Sequence, residues 1–326
     1  MSFKEIYGHK KQIGILQKAI GTNRIPHAYL FYGMSGIGKR TIAVNFAKAI
    51  NCEGGIDNLD ACDICASCRK MDHQNHPDTV IIEPEGQFIR LDAIRQIQNQ
   101  MWFRPMEGKK KIFIMIDADK MNSPSANALL KTLEEPSISS MFILITSRYH
   151  LLPMTIISRC QPLNFNPVPQ EMVASFLQNR LSLDAHTAHF LASSSGGSIG
   201  KAITMNDDNY LAQRDKIFDG LSDSQLHDPL KALAFIPVLG QDKSEIMDRL
   251  EMMKSCFRDA LVYRETADTA LLIHQDRMDT IRSVADRLSG DCLLHNIKAL
   301  NCALDFIELN ANKALTLEVM MFRLNF

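Results

Sequence analysis

The amino-acid sequence predicts an α/β domain built on a parallel sheet, followed by a half made of helices alone. Three observations predict it. Short apolar runs alternate with helical patterns over the first half, the order expected of strands joined by crossover helices. A glycine-rich turn, Gly33-Met-Ser-Gly-Ile-Gly38-Lys39, joins the first of those runs to a helix. Beyond Pro169 the strand signals fade and helical periodicity continues.

Taken in order, Gln12 to Ile20 reads as an amphipathic helix with Ile13, Leu16 and Ala19–Ile20 apolar. Ala28-Tyr-Leu-Phe-Tyr32 is an apolar run that reads as a buried strand. After the glycine turn, Ile42, Phe46, Ala49 and Ile50 share one helical face. Strand, glycine turn and helix starting at the lysine is the context in which G-x-x-x-x-G-K cradles phosphate. Backbone N–H groups converge on the turn, the helix dipole adds positive charge, and Lys39 reaches the β/γ-phosphates. Gly33, Gly36, Gly38 and Lys39 are therefore candidate nucleotide contacts. The residue after the lysine ordinarily supplies the hydroxyl that holds Mg²⁺, and here it is Arg40. Thr41 is the nearest hydroxyl, but one helical residue turns a side chain by about 100°. The loop is thus suited to phosphate and poorly equipped for the metal.

Four of the eight cysteines cluster as Cys52-x9-Cys62-x2-Cys65-x2-Cys68; Cys160, Cys256, Cys292 and Cys302 are scattered. Two overlapping C-x-x-C steps bring three thiolates together, and Cys52 closes a tetrahedral S₄ set suited to structural zinc. A redox C-x-x-C would instead open a helix after a strand without further cysteines. His73 and His76 lie close by; with four sulfurs filling the shell they are expected on the surface.

Thr79 to Ile82 is a short apolar strand and Leu91 to Met101 a helix. Ile112-Phe-Ile-Met-Ile116 is a fully apolar strand ending at Asp117. Four apolar residues followed by an acid is the Walker B pattern, whose carboxylate orients Mg²⁺ or its water. An active ATPase usually follows it with a glutamate; here Ala118 follows, with Asp119 one step on. Ser125 to Glu135 reads as a helix stopped by Pro136. Phe142 to Ile145 is a further strand running into Thr146, and Ile156-Ile157-Ser158-Arg159-Cys160 precedes a proline-marked linker, Asn166 to Pro169.

In the helical half, Gln170 to Leu181 and Asp184 to Ser193 read as helices, and Gly196 to Gly200 opens a third. Asp242-x-x-Glu245 is a capping-box pattern before a face of Ile246, Leu250, Met253, Phe257 and Leu261. Leu293, Ile297, Leu300, Leu304 and Ile307 form another face. With 326 residues, two or three domains are expected. A net charge of −1 argues against non-specific nucleic-acid binding by the whole surface, and no run is long and apolar enough for a membrane span. The opening Met-Ser-Phe-Lys-Glu lacks an apolar signal core, so a cytoplasmic location is expected.

These residues together resemble the AAA+ subunits of the bacterial DNA polymerase III clamp loader. The resemblance covers nearly the whole chain. Ile25-Pro-His-Ala-Tyr-Leu-Phe31, the Cys₄ insert, Asn127-Ala-Leu-Leu-Lys-Thr-Leu-Glu-Glu-Pro136 and Ser158-Arg159-Cys160 occur in the family's order and spacing. Asn312 to Leu324 looks like the family's last collar helix, and Ile6-Tyr-Gly8 matches its adenine-side loop loosely. The resemblance implies a RecA-like AAA+ domain over 1–167 with a zinc module near 52–68, a three-helix lid over 168–208 and an all-α collar over 209–326. Arg40, Asp117-Ala118 and Gly200 each depart from the gamma/tau motor, the last where a lid arginine is expected, and together point to the delta-prime branch. That branch implies a stator with little or no ATPase activity of its own, part of the DNA polymerase holoenzyme. Its partners would be delta, gamma/tau, the sliding clamp and primer-template DNA, with no membrane. Its cofactors would be Zn²⁺ and, in a degenerate site that includes Thr41, Asp117 and Thr146, ATP or ADP. Arg159 would act in trans as an arginine finger on a neighbour's ATP. The competing expectations are an active gamma-type ATPase and a standalone zinc-binding or nucleic-acid adaptor.

Overall fold

The structure, a computed structural model, describes residues 2–54, 59–222 and 228–326. The chain divides into two compact units, one ending at Ala202 and one beginning at Ile203.

The first unit is organised on a sheet of five strands, all parallel, in the order β2-β3-β4-β1-β5. These are β1 (Ala28–Tyr32), β2 (Thr79–Ile82), β3 (Lys111–Met115), β4 (Ser140–Thr146) and β5 (Gln161–Asn164). The central strands are apolar on both faces because both are covered. Tyr29, Phe31, Ile112, Ile114, Met141, Ile143 and Ile145 meet one core with α1 (Lys10–Gly21) and α2 (Lys39–Asn51). Leu30, Phe113, Met115, Phe142 and Leu144 meet the other, with α4 (Leu91–Met101), α5 (Ser123–Glu134) and α6 (Met154–Ile157). Phe113 stacks on Phe142 across β3 and β4 with ring centroids 5.1 Å apart. Both rings are buried, so truncating either to alanine is expected to cost about 3–5 kcal/mol.

Three features differ from the sequence expectation. β5 was not anticipated: Gln161-Pro-Leu-Asn164 buries only Leu163, and a proline inside a run argues against a central strand. It sits at the sheet edge beside β1, where a missing donor is tolerated. β4 is longer than its apolar run because its polar ends are satisfied. Ser140 Oγ donates to the Met101 carbonyl and Thr146 Oγ1 to Asp119. α5 starts before Ser125: Asn122 caps it by accepting from the Ser125 N–H, with Pro124 in its first turn.

After β5 come α7 (Gln170–Leu181), α8 (Ala185–Ser194) and α9 (Ile199–Met205), as the periodicity predicts. Gly197 has φ +85°, and a Cβ there would meet the Val168 carbonyl at 2.6 Å.

The second unit has helices and no strand among its described residues: α10 (Asp208–Ser222), α11 (Pro229–Phe235), α12 (Lys243–Thr266), α13 (Met278–Arg287), α14 (Gly290–Glu308) and α15 (Lys313–Arg323). Ile246, Leu250, Met253 and Phe257 of α12 and Leu293, Leu300, Leu304 and Ile307 of α14 are buried in one core. The capping box at Asp242 does not form: Asp242 is the N-cap residue without a side-chain cap bond, and the Glu245 carboxylate accepts from the Gln241 N–H instead. No helix among the described residues is long and apolar enough to cross a membrane.

Candidate functional site

The glycine turn folds as its positive-φ positions require. Gly33, Gly36 and Gly38 have φ of +145°, +74° and +101°, and Gly38 is the N-cap of α2. A Cβ on Gly33 would meet the Phe165 carbonyl at 2.2 Å and one on Gly36 the Ser198 hydroxyl at 2.3 Å. Lys39 folds back over the turn, donating to the carbonyls of Gly33 (2.5 Å) and Met34 (2.6 Å). Its side chain is buried, and no carboxylate lies at ion-pair distance among the described residues. Burial pulls its pKa down to about 8, opposed by the charges of Asp117 and Asp119.

Of the remaining predicted nucleotide residues, Asp117 and Thr146 have side-chain partners within the chain. Asp117 has φ +49° and pairs with Lys120 at 2.9 Å. Thr146 is buried at the end of β4 and donates to Asp119 (2.5 Å), while accepting from the Arg148 N–H. Thr41 is half-buried in the first turn of α2, and its carbonyl accepts from Asn45. Arg40 pairs with Glu83, just past β2, at 2.5 Å. Glu83, Lys120 and Ser198 were not singled out from the sequence. The segment before α9 closes on the turn: the Gly200 N–H donates to the Gly36 carbonyl (2.8 Å) and Ser198 Oγ to the Ser35 carbonyl (3.0 Å). A Cβ on Gly200 would sit 3.0 Å from Gly36 Cα. The absence of an arginine there therefore matches the close approach of two backbones.

Arg159 follows α6. Its two terminal nitrogens donate to Glu134 (2.6 Å) and to the Thr155 carbonyl (2.9 Å), and about a third of the side chain is exposed.

The Cys₄ spacing produces a metal-shaped cluster. The Sγ atoms of Cys52, Cys62, Cys65 and Cys68 all lie within 4.8 Å of one another, with Cys62 and Cys68 3.9 Å apart. Tetrahedral Zn–S bonds of about 2.3 Å put sulfurs about 3.8 Å apart, whereas a disulfide needs about 2.05 Å. The donor set fits zinc. Part of the Cys52–Cys62 loop, residues 55–58, lies outside the described residues. Cys65 caps a helix the sequence did not reveal, α3 (Ala66–Asp72), and its sulfur accepts from the Cys68 N–H. N–H groups of Ile64 and Cys65 pull the Cys62 thiol down to about 6, while burial pushes those of Cys52 and Cys68 up. The module is tied to α2 by Lys48, fully buried, with Nζ 2.5 Å from Asp63 and 2.6 Å from Asp72. A lysine on an otherwise buried helical face was the one signal for it.

His73 is on the surface as expected, but His76 is not. It is 4% exposed; Nδ1 accepts from the Asp78 N–H and Nε2 meets Ser67 Oγ at 3.1 Å. Ser67 Oγ donates to the Asn51 carbonyl, so Nε2 carries the proton. Both ring nitrogens are occupied, burial lowers the pKa, and the ring is a neutral strut rather than a ligand. Next to it, the buried Asp78 carboxylate accepts from the N–H groups of Met106, Glu107 and Gly108.

Comparison with known proteins identifies relatives over most of the chain. The family model for "DNA polymerase III, delta subunit" matches residues 8–169, and that for "DNA polymerase III, delta subunit, C terminal" matches residues 208–325. DNA polymerase III subunit delta' of Bacillus subtilis is 30% identical over 91% of this chain and 90% of its own length. DNA polymerase III subunit tau of the same organism is 28% identical over 92% of this chain but only 57% of its own length. The tau subunit of Escherichia coli is 31% identical over 63% of this chain and 32% of its own. Delta' is matched over nearly its full length while the tau subunits extend well beyond the match, and the chain belongs to the delta-prime family of bacterial DNA polymerase III clamp-loader subunits.

Proposed function

We propose that this chain works as the stator of the clamp-loader ring, keeping a nucleotide-binding fold without turning ATP over appreciably by itself. One observation carries the reading: the groups hydrolysis would need are missing or engaged with one another. Arg40 occupies the metal-hydroxyl position and pairs with Glu83; Asp117 is neutralised by Lys120. Ala118 stands where a water-polarising carboxylate belongs, and Gly200 offers backbone where an arginine would reach in.

On this reading residues 1–167 are the RecA-like AAA+ domain with its zinc module, 168–208 a three-helix lid and 209–326 an oligomerisation collar. The contacts of Ser198 and Gly200 with the glycine turn support the lid assignment. Phe306, Leu309, Leu315, Val319 and Phe322 of α14, α15 and their connection are apolar and exposed, as a subunit-packing face would be. Zinc on Cys52, Cys62, Cys65 and Cys68 holds its module together. Gly33, Gly36, Gly38, Lys39 and Thr41, with Asp117 and Thr146, form a degenerate site for ATP or ADP. The partners are delta and gamma/tau, and through them the sliding clamp and primer-template DNA, in the cytoplasm. Arg159 completes the ATP site of a neighbouring gamma/tau subunit.

Co-expression with delta and gamma/tau, followed by mass measurement of the intact complex, tests the assignment. One copy of this chain per ring is expected, and a ring that forms equally well without it refutes the reading. The gamma-type alternative makes the opposite forecast for the isolated protein. A steady-state turnover near roughly 1 s⁻¹ that Lys39→Ala abolishes would favour it.

A further inference from the structure

The cradle's charges are arranged unlike those of a metal-dependent phosphate site. A magnesium-binding P-loop presents a small hydroxyl and a free carboxylate. The hydroxyl position holds Arg40 instead, and the two carboxylates beyond β3 already have partners, Asp117 in Lys120 and Asp119 in Thr146. The residues present do not fit Mg²⁺. They do fit an anion. Lys39 is 6% exposed, and at hydrogen-bond distance its ammonium meets only the carbonyls of Gly33 and Met34, so it is a buried cation lacking a close counter-ion among the described residues. Beside it, the positive-φ turn Gly36 to Gly38 leads directly into the N-terminus of a helix of 13 residues.

We propose that this cradle takes the polyphosphate of a nucleoside di- or triphosphate without a divalent metal, Arg40 supplying the positive charge that the metal supplies elsewhere. The inference rests on the nucleotide reading above and deepens it. A guanidinium has five N–H donors in a planar fork that matches two phosphate oxygens at once. Arg40 spends one nitrogen on Glu83, and both side chains of that pair are about half exposed. Exposed ion pairs hold weakly, so phosphate displaces Glu83 readily. Lys39 then exchanges the two loop carbonyls for phosphate oxygen, which converts an energetically costly buried cation into a paired one.

The test is calorimetric titration of the full-length, zinc-loaded protein with ADP and with ATP, with and without added MgCl₂. Divalent ions are removed beforehand on a resin rather than with a soluble chelator, so that the cysteine cluster is left intact. Affinity is expected to agree within about twofold in the two buffers. Arg40→Ala should weaken binding in both by about 10–100-fold, the worth of a charge-assisted contact. Arg40→Thr should bind as weakly as the alanine variant without metal and recover at least about tenfold on adding Mg²⁺. Binding by the parent protein that is at least about tenfold tighter with Mg²⁺ overturns the role given to Arg40 and leaves the nucleotide site standing. Heat of binding in neither buffer overturns both. The comparison of buffers uses the parent protein alone, so it does not depend on any variant folding.

Discussion

Replacing Arg159 by alanine separates its structural contribution from its proposed one by size. Within the chain it makes two bonds, to Glu134 and to the Thr155 carbonyl, and the ion pair is 35% and 49% exposed on its two sides. A pair that open contributes about 0–1 kcal/mol and the carbonyl bond about 1 kcal/mol. Arg159→Ala should thus cost at most about 2 kcal/mol, a fall in Tm of several degrees for a unit of this size. An arginine finger contributes about 10³–10⁵ in rate, equivalent to about 4–7 kcal/mol of transition-state stabilisation at the site it serves. The planar fork stabilises charge spread over the transferring oxygens, which a point charge does less well. Rings reconstituted with Arg159→Ala should assemble and keep zinc, yet show reduced DNA- and clamp-stimulated ATPase and clamp loading. The bulk loss is smaller than the single-site figure because one interface of several is affected. Arg159→Lys should restore little. Glu134→Gln is the internal control, since it removes the same ion pair and leaves the guanidinium. Should rings carrying alanine at 159 load clamps at the parental rate, or should Glu134→Gln reproduce the whole defect, the finger assignment fails.

The other predictions follow from the site geometry. Elemental analysis of the reduced protein should find about one zinc per chain; Cys68→Ser should lose it and raise hydrogen exchange over residues 59–78 while β1, β3 and β4 stay protected. Because burial lowers the Lys39 pKa to about 8, the free protein carries that charge below about pH 8 and loses it above. A phosphate anion raises the pKa again, so nucleotide binding should take up protons between about pH 8 and 9, read as a dependence of binding heat on buffer ionisation enthalpy. Buffer-independent heat there would show that Lys39 does not meet the phosphate. Asp78→Ala should destabilise the first unit by about 3–5 kcal/mol in chemical denaturation, since three backbone N–H groups lose a buried carboxylate. A loss under about 1 kcal/mol would mean that water replaces it.

The features of this protein that can be read from its residues in order are those whose signals are local. The glycine turn is legible because its strand, glycines and helix are contiguous, and the positive φ at Gly33, Gly36 and Gly38 is a conformation glycine adopts without strain. The cysteine cluster is legible because short steps limit where three sulfurs can go. β1, β3 and β4 are legible because a strand covered on both faces must be apolar throughout. The tertiary structure decided whatever depends on residues far apart in the chain. Pro162 lies in a strand because that strand falls at the sheet edge. Whether His76 is a surface group or a neutral strut depends on Ser67 and on the fold of α3 around it. Arg159 meets Glu134 across 25 residues, and Ser198 meets Ser35 across 163. Periodicity and propensity report the neighbourhood that a residue makes for itself. The partner of a charged or hydroxyl side chain is set by which strand lies beside which, and here the order β2-β3-β4-β1-β5 brings those partners together.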